Sequence, residues 1–231
     1  MPRILRALLA ALPLIVAACG QAGPPRPEAA SRAAALADAQ QKHLASPPRI
    51  VFLGDSLTAG LGLPRGQAVP SLIQERLHAE GYAYEVVNAG VSGDTAAGGV
   101  SRLEWSLEGD VEILVVELGA NDGLRGLPLS QMKRNLSEII TRAKQRGITV
   151  ILTGMEAPPN YGVAYTSGFR QVFRDLADQH DVALVPFYLE GVAGIPSLNN
   201  SDGIHPNAAG ARIVAETLWR ALEPALEKHN R

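Results

Sequence analysis

The sequence predicts an α/β fold in which a five-stranded parallel β-sheet lies between layers of helices. Strand-like and helix-like segments alternate along residues 49–222, which is the order that right-handed strand–helix–strand crossovers require. Two of the strand-like segments, 113–116 and 150–152, are unbroken apolar runs, as expected for strands that are covered on both faces. Aromatic residues are few, whereas Ala, Gly and Leu are common, which is typical of this class.

Five short segments that are apolar or rich in β-forming residues are the candidate strands. The first, 49–53, ends abruptly in Gly54-Asp55-Ser56, so it delivers a serine to its carboxyl end. In an open parallel sheet that end carries the binding and catalytic groups. The other candidate strands are 85–88, 112–118, 149–153 and 183–185.

Five longer segments are the candidate helices. The clearest is 169–179, where Phe169, Val172, Phe173 and Leu176 recur at spacings that make one apolar stripe. The others are 70–79, 95–107, 130–146 and 207–222.

The first 18 residues are predicted to be a targeting segment rather than part of the fold. Arg3 and Arg6 form a short positive region, 8–16 is an apolar stretch too short to span a bilayer comfortably, and Val-Ala-Ala-Cys at 16–19 is a small-residue cleavage site. A cysteine directly after such a site resembles a bacterial lipobox, in which the thiol receives a diacylglyceryl group and becomes the new N-terminus. The alternative is an ordinary secretory signal cleaved nearby. Cys19 is the single cysteine of the chain, which favours the lipobox and excludes an internal disulfide.

Three parts follow from this interpretation: a lipoprotein signal peptide at 1–18, a lipidated N-terminus and flexible tether at 19–48, and one folded domain at 49–231. The tether opens with a Pro-rich stretch at 23–27 that cannot form regular structure. Gly20 directly after the cysteine resembles an outer-membrane signal of Gram-negative lipoproteins. We therefore expect a protein of the bacterial cell envelope, held on the periplasmic face of the outer membrane by its acyl chains.

The charge balance argues against a nucleic-acid-binding protein. The net charge is -2 for the full chain, and removal of 1–18 takes away two arginines and no acid, which leaves -4. A domain that neutralises phosphates requires a basic surface instead.

Ser56 is the first candidate catalytic residue. A neutral serine hydroxyl is a poor nucleophile without a neighbouring base. Ser56 or Asp55 can equally be the N-cap of a helix, and the two roles are compatible, because a helix N-terminus aims backbone N–H groups at an anion formed beside the hydroxyl. Thr58 stands where the nucleophile elbow of ordinary α/β-hydrolases has its last glycine, so Ser56 does not belong to that motif.

His205 is the candidate base. The other four histidines are most simply solvated or capping residues, whereas His205 follows Asp202 by three positions and precedes Pro206. A tight turn at Gly203 brings the Asp202 carboxylate onto Nδ1 and leaves Nε2 free for a serine. Together with Ser56, this spacing predicts a Ser-His-Asp hydrolase.

Two loops at predicted strand ends offer donors for an oxyanion. One contains Gly93, where glycine allows a backbone N–H to approach a ligand closely, and the other contains Asn121, whose amide is a neutral donor. Turn formation explains the same residue types. Their shared position at the carboxyl edge of the sheet, beside Ser56, favours the functional interpretation.

Four short blocks occur in a fixed order along the chain. They are Gly54-Asp55-Ser56-Leu57, Gly93, Gly119-Ala120-Asn121-Asp122 and Asp202-Gly203-Ile204-His205-Pro206. In this order the blocks resemble those of the SGNH, or GDSL, hydrolases, and the longer strings 86–95, 116–126 and 159–162 are similar to the bacterial thioesterase I, lysophospholipase L1 and arylesterase branch of that superfamily. The resemblance extends over 49–222. Each block alone is a weak match, whereas the ordered set is highly specific.

The resemblance implies a role for each matching residue. Ser56 would be the nucleophile, His205 the general base and acid, and Asp202 its orienting partner. The oxyanion hole would consist of the Ser56 and Gly93 backbone N–H groups and the Asn121 side chain. It also implies that 49–231 is an SGNH hydrolase domain with the fold of a flavodoxin-like three-layer α/β/α sandwich, without a metal or a cofactor.

The sequence thus predicts a lipid-anchored serine esterase that acts on small acyl esters or thioesters, including lysophospholipids. The apolar segments 124–129, 157–164 and 192–198 are expected to line an acyl groove. Two alternatives stay open: an O-acetylesterase for cell-envelope glycans that uses the same triad, and a non-catalytic binding lipoprotein of the envelope.

Overall fold

The computed structural model describes residues 47–229. The predicted signal peptide at 1–18, the predicted lipidation site Cys19 and nearly all of the predicted tether lie outside the described residues. Among the helices within 47–229, none is both long and apolar enough to cross a membrane.

Five parallel strands form one sheet in the order β2-β1-β3-β4-β5, which confirms the predicted architecture. This is the strand order of flavodoxin-like folds. The strands are β1 (Arg49–Gly54), β2 (Glu85–Gly90), β3 (Val111–Glu117), β4 (Thr149–Thr153) and β5 (Ala183–Val185).

Helices cover both faces of the sheet, as right-handed crossovers in this strand order require. Helix α2 packs against α8, while α6 packs against both α3 and α7. The α-helices are α1 (Ser56–Ala59), α2 (Val69–Ala79), α3 (Ala96–Ser101), α4 (Leu103–Ser106), α5 (Ala120–Leu124), α6 (Leu129–Gln145), α7 (Val163–His180) and α8 (Ala208–His229). Three single 3₁₀ turns lie at Arg65–Gln67, Pro159–Tyr161 and Pro196–Leu198.

The central strands are buried on both faces, in agreement with their unbroken apolar runs. Ile50 to Leu53 in β1 and Ile113 to Val116 in β3 are all fully inaccessible to solvent. Burial of a large aliphatic or aromatic side chain contributes about 1.5–3 kcal/mol. These two adjacent strands therefore hold the residues that follow them in a rigid frame.

Three helix predictions differ from the structure by more than one residue. The predicted helix 95–107 is divided into α3 and α4 at Arg102, whose backbone leaves the helical region (φ -110°, ψ 7°). Helix α7 begins at Val163, six residues before its apolar stripe. The apolar pattern does not reveal these first turns, because none of the residues 163–168 is buried. Helix α8 continues past Pro224 to His229, since Leu226 beyond the proline is fully buried.

Candidate active site

The predicted site residues meet at the carboxyl ends of β1, β2 and β3. Strand β1 has β2 on one side and β3 on the other, so the chain leaves β1 and β2 in opposite directions across the sheet. A crevice forms at such a point of reversed strand order, and ligands bind there in open α/β sheets.

Ser56 is the first residue of α1, directly after β1. Asp55 is the N-cap of this four-residue helix, and its Oδ1 accepts a hydrogen bond from the Leu57 backbone N–H at 3.0 Å. The helix ends at Gly60, which adopts the left-handed conformation with φ 77°. The segment therefore shows both predicted features. Asp55 caps the helix, and Ser56 lies at the carboxyl end of β1.

His205 lies within hydrogen-bond distance of both of its predicted partners. Its Nε2 is 2.8 Å from Ser56 Oγ, and its Nδ1 is 2.8 Å from Asp202 Oδ2. With the proton on Nδ1, the imidazole donates to the carboxylate and accepts from the serine hydroxyl. The three side chains thus form one continuous hydrogen-bonded chain, although Ser56 and His205 are 149 residues apart in sequence.

A tight turn holds Asp202 in place. Its Oδ1 accepts hydrogen bonds from the backbone N–H groups of His205 at 3.0 Å and Ile204 at 2.9 Å, and Gly203, directly after Asp202, has φ 72°. These backbone bonds, followed by the bond from the imidazole, lower the pKa of Asp202 to about 2. The carboxylate is therefore ionised throughout the neutral range and available to stabilise an imidazolium.

Gly93 lies in the loop after β2 and faces the same cavity as Ser56. Its φ of 83° is a conformation that favours glycine, and its carbonyl accepts a hydrogen bond from Arg125 Nη2 at 2.7 Å. Thr95, two residues later, caps α3 by accepting from the Gly98 N–H. The loop is thus held at both ends.

Asn121 is in the first turn of α5, after β3, and lines the cavity as well. One N–H of its amide donates to Asp55 Oδ2 at 2.9 Å. The second N–H of the amide remains for another acceptor. Asp55 therefore connects the helix that begins with the serine to the amide that the sequence predicts as an oxyanion donor.

A buried carboxyl group, Glu117, lies beneath Asp55. It is fully inaccessible, and its Oε2 accepts from Thr58 Oγ1 at 2.9 Å and from the Asp55 backbone N–H at 3.2 Å. Burial, and then the nearby charge of Asp55, raise the pKa of Glu117 well above its ordinary value. Burial also raises the pKa of Asp55, against the opposing effect of its hydrogen bonds. Glu117 is thus the group of this pair that is best suited to keep a proton.

Arg102 joins the strand ends beneath the site, a role that the sequence reasoning did not identify. Its guanidinium donates to the carbonyls of Ala89 in β2 at 2.5 Å and Gly54 in β1 at 2.8 Å, and it forms an ion pair with Asp94 at 2.6 Å. One side chain therefore ties together β1, β2 and the Gly93 loop. Arginine in a helical segment gives no local signal of such a role.

The cavity in front of Ser56 has a volume of about 250 Å³. Only one of the three segments expected to line it does so, through Leu124, whereas 157–164 and 192–198 do not contribute. Other residues supply the remaining apolar walls, and they come from the segments that follow β1, β3, β4 and β5. These residues are Leu57, Leu61, Ala120, Met155, Leu189 and Ile204.

The sequence is similar to a known protein family and to several characterised bacterial enzymes. Residues 52–213 match the model of the GDSL-like lipase/acylhydrolase family. The chain is 45% identical over 178 residues to esterase TesA of Pseudomonas aeruginosa, covering 77% of this chain and 89% of the relative. It is 35% identical over 176 residues to thioesterase 1/protease 1/lysophospholipase L1 of Escherichia coli K12, covering 76% of this chain and 83% of the relative.

The fold is similar to a solved structure as well. A crystal structure of TesA superimposes with a TM-score of 0.74 at 44% sequence identity, covering 77% of this chain and 99% of that one. The similarity therefore extends over nearly the whole of the related enzyme.

Proposed function

Since this chain belongs to the GDSL-like lipase and acylhydrolase family, we propose that it hydrolyses carboxylic esters and thioesters with Ser56 as the nucleophile. One observation supports this assignment of residues. Asp202 Oδ2 lies 2.8 Å from His205 Nδ1, and His205 Nε2 lies 2.8 Å from Ser56 Oγ, which faces the apolar cavity. This arrangement satisfies the geometric requirement for an activated serine.

Acylation uses the hydrogen bonds already present. As Ser56 Oγ attacks the carbonyl carbon, His205 Nε2 takes the hydroxyl proton, and the Asp202 carboxylate stabilises the imidazolium. The carbonyl oxygen becomes an oxyanion, which the Ser56 and Gly93 backbone N–H groups and the Asn121 amide stabilise. The imidazolium then protonates the departing alcohol or thiol, and the acyl group stays on Ser56 as an ester.

Deacylation repeats the steps with water. His205 Nε2 removes a proton from a water molecule that attacks the acyl-enzyme, and the same donors stabilise the second oxyanion. The proton returns to Ser56 Oγ as the carboxylic acid leaves. The cycle leaves the enzyme unchanged and consumes one water for each ester.

The walls of the cavity favour acyl groups of several carbons. Six large apolar side chains line it, and its volume is roughly eight times the ~30 Å³ share of one water molecule. Medium-chain acyl esters, acyl thioesters and lysophospholipids fit this chemistry better than the acetyl esters of the glycan O-acetylesterase alternative. The side chains are Leu57, Leu61, Leu124, Met155, Leu189 and Ile204.

We further propose that Cys19 is lipidated and holds the enzyme on the periplasmic face of the outer membrane. The support is the position of the single cysteine directly after a small-residue cleavage site, with Gly20 next in sequence. Metabolic incorporation of an alkyne-labelled fatty acid into the wild-type chain, and its loss in Cys19→Ser, tests this part separately from catalysis.

Covalent labelling tests the nucleophile. We expect a fluorophosphonate to label the wild-type chain once and the Ser56→Ala variant not at all, and a series of p-nitrophenyl esters to show higher kcat/KM for medium-chain than for acetyl substrates. Labelling that persists in Ser56→Ala would exclude Ser56, and a preference for acetyl esters would favour the O-acetylesterase.

A further inference from the structure

Exposed apolar side chains gather at one edge of the part of the chain that the structure describes. Nine large apolar side chains within 47–229 are markedly exposed, and seven of them follow the carboxyl end of a strand, with at least one after each of the five strands. Because the strands are parallel, these connections all leave from the same edge of the sheet. We call these seven the apolar rim: Leu61, Val91, Leu124, Tyr161, Val163, Ile195 and Ile204, with exposed fractions of 39–83%.

Part of the apolar rim borders the catalytic cavity. Leu61, Leu124 and Ile204 line the cavity together with Ser56. Tyr161 packs beside this group, because its hydroxyl donates to the Leu124 carbonyl at 2.9 Å. Val91 is two residues before Gly93. At Leu61, Leu124 and Ile204 the exposed apolar surface therefore joins the walls that receive the acyl group.

Charges are few around the apolar rim, and the protein itself engages most of them. In the described connections at this edge, outside the α-helices, seven residues carry charged side chains. Five of them have partners within the protein: Asp55 accepts from Asn121, Asp94 pairs with Arg102, Glu156 with Arg170, Asp202 with His205, and Arg125 donates to Gly93. The seven are Asp55, Arg65, Asp94, Arg125, Glu156, Glu190 and Asp202.

The opposite edge of the sheet has the reverse composition. Its connections are only two to five residues long, yet each contains at least one charged side chain. Trp105 on α4 is the large exposed apolar side chain near that end. The charged residues of these connections are Glu80, Glu108, Asp110, Arg146 and Asp181.

We propose that the apolar rim docks on the surface of a lipid bilayer, so that acyl chains enter the cavity directly from the membrane. Exposed apolar patches edged by polar residues mark interaction sites. A protein seated on this rim would close the active site, whereas a lipid surface delivers the acyl group into it. The near absence of unengaged charge fits insertion among lipids and predicts binding that does not weaken with salt. This inference rests on the esterase function and lipid anchor proposed above.

The length of the chain before the described domain is compatible with this orientation. Arg49 begins β1 at the edge opposite the apolar rim. The 27 residues between Cys19 and Pro47 span at most about 90–95 Å when fully extended. A domain of this size has a radius of gyration of about 16 Å, hence a diameter of about 40 Å. An anchored Cys19 and the apolar rim can therefore reach the same membrane.

Fluorescence quenching tests the orientation. The full chain carrying Val163→Trp and Trp105→Phe is mixed with phosphatidylethanolamine–phosphatidylglycerol vesicles (3:1) that contain brominated lipids, and compared with the wild-type chain, whose exposed tryptophan is Trp105. Trp219 is 2% exposed and common to both. We expect strong quenching only in the Val163→Trp chain. Equal quenching of both chains, or of neither, overturns the proposal.

Kinetics test the consequence for catalysis. We expect Val163→Asp with Ile195→Asp to lower the ratio of vesicle-embedded lysophospholipid hydrolysis to soluble p-nitrophenyl acetate hydrolysis by about tenfold, equivalent to 1.4 kcal/mol. An aspartate in the first turn of α7 is favourable for the helix, so the fold is preserved. Trp105→Asp, at the opposite edge, is the matched control and should leave the ratio unchanged.

Control experiments distinguish failure of the membrane-docking proposal from failure of the esterase assignment or of the lipid anchor. If the esterase assignment fails, both hydrolysis rates vanish while the quenching result stands. If Cys19 is not lipidated, the Cys19→Ser and wild-type chains bind vesicles equally well through the apolar rim. An unchanged ratio in the double variant, or a dimer in the wild type that the double variant abolishes while vesicle binding persists, contradicts docking on lipid.

Discussion

At the scale of single residues, Asp55 is the most connected group of the site. Its Oδ1 caps α1, its Oδ2 accepts from Asn121, and its backbone N–H donates to Glu117. The residue before the nucleophile thus determines both where the serine helix begins and how the Asn121 amide is oriented. The same carboxylate that caps the helix therefore also orients the amide of a proposed oxyanion donor.

Asn121→Ala is expected to lower kcat by about 10²–10³ with little change in KM, because an oxyanion donor acts mainly in the transition state. Steady-state kinetics on a soluble p-nitrophenyl ester measure the effect. Asn160→Ala, in an exposed turn, is the control. A loss confined to KM would contradict the assignment of Asn121 to the oxyanion hole.

Glu117→Gln is expected to flatten the pH dependence of stability. The folded pKa of Glu117 is raised, so its contribution to the free energy of unfolding is complete below about 4.5 and declines as pH rises towards the folded pKa. Glutamine keeps the shape of the side chain and removes this titration. Urea unfolding at pH 5 and pH 8 should therefore show a smaller loss of stability in the variant than in the wild type.

The exposed Glu227→Gln serves as the control for Glu117→Gln, since it removes a carboxyl group without touching the buried pair. Parallel loss of stability in Glu117→Gln and the wild type between pH 5 and pH 8 would show that Glu117 ionises normally.

At the scale of elements, the site depends on how closely α1 lies against the strand ends. A Cβ atom at Gly90, the last residue of β2, would lie 2.3 Å from the Ala59 backbone nitrogen, and one at Gly54 would lie 2.0 Å from Thr58 Oγ1. Glycine at these two positions allows α1 to rest on β1 and β2. Arg102 then fixes the same two strand ends from the side of α3.

Gly90→Ala is expected to destabilise the protein by about 1–3 kcal/mol, as overpacking against backbone does, and to lower kcat because α1 and Ser56 must shift. Thermal unfolding and ester hydrolysis measure the two effects. Gly66→Ala is the matched control, since a Cβ atom there meets nothing within 4 Å. Equal behaviour of the two variants would contradict the role of this close contact.

At the scale of the whole molecule, a single hydrophobic core within the described residues supports the carboxyl edge of the sheet, where the candidate site lies. Buried apolar side chains from Ile50 to Leu226 form a single cluster on both faces of the sheet. The carboxyl ends of all five strands point the same way, so Ser56, Gly93, Asn121 and the apolar rim share one edge. Under the proposals above, catalysis and access to lipid therefore lie on the same side of the sheet.

A chain that begins at residue 46 is expected to fold and to retain kcat/KM on soluble esters within about twofold, because the described core and all five of its strands lie within 49–229. Circular dichroism and p-nitrophenyl acetate hydrolysis check this, with the full chain as the reference. Loss of cooperative unfolding in the shorter chain would show that the segment before residue 47 belongs to the core.

Much of the element pattern was readable from local sequence, and the exceptions have physical causes. The predicted bounds of β4 and β5 agree with the structure, because apolar runs ended by turn residues encode such strands. The break at Arg102 was missed, since its reason is a set of contacts with Gly54 and Ala89, which are distant in sequence. The short helix α5 was missed too, because five residues carry no periodicity.

Local patterns and the order of short blocks are sufficient to predict the α/β class, the five strands, and the residues proposed for the triad and the oxyanion donors. The packing of the folded chain sets which loops line the cavity, how Asp55 connects to Asn121 and Glu117, and how exposed apolar residues from five connections come to share one edge. The connections from Asp55 to Asn121 and Glu117 span more than 60 residues of chain, and strand order and register create them. Local patterns do not encode such pairings, so only the folded sheet reveals them.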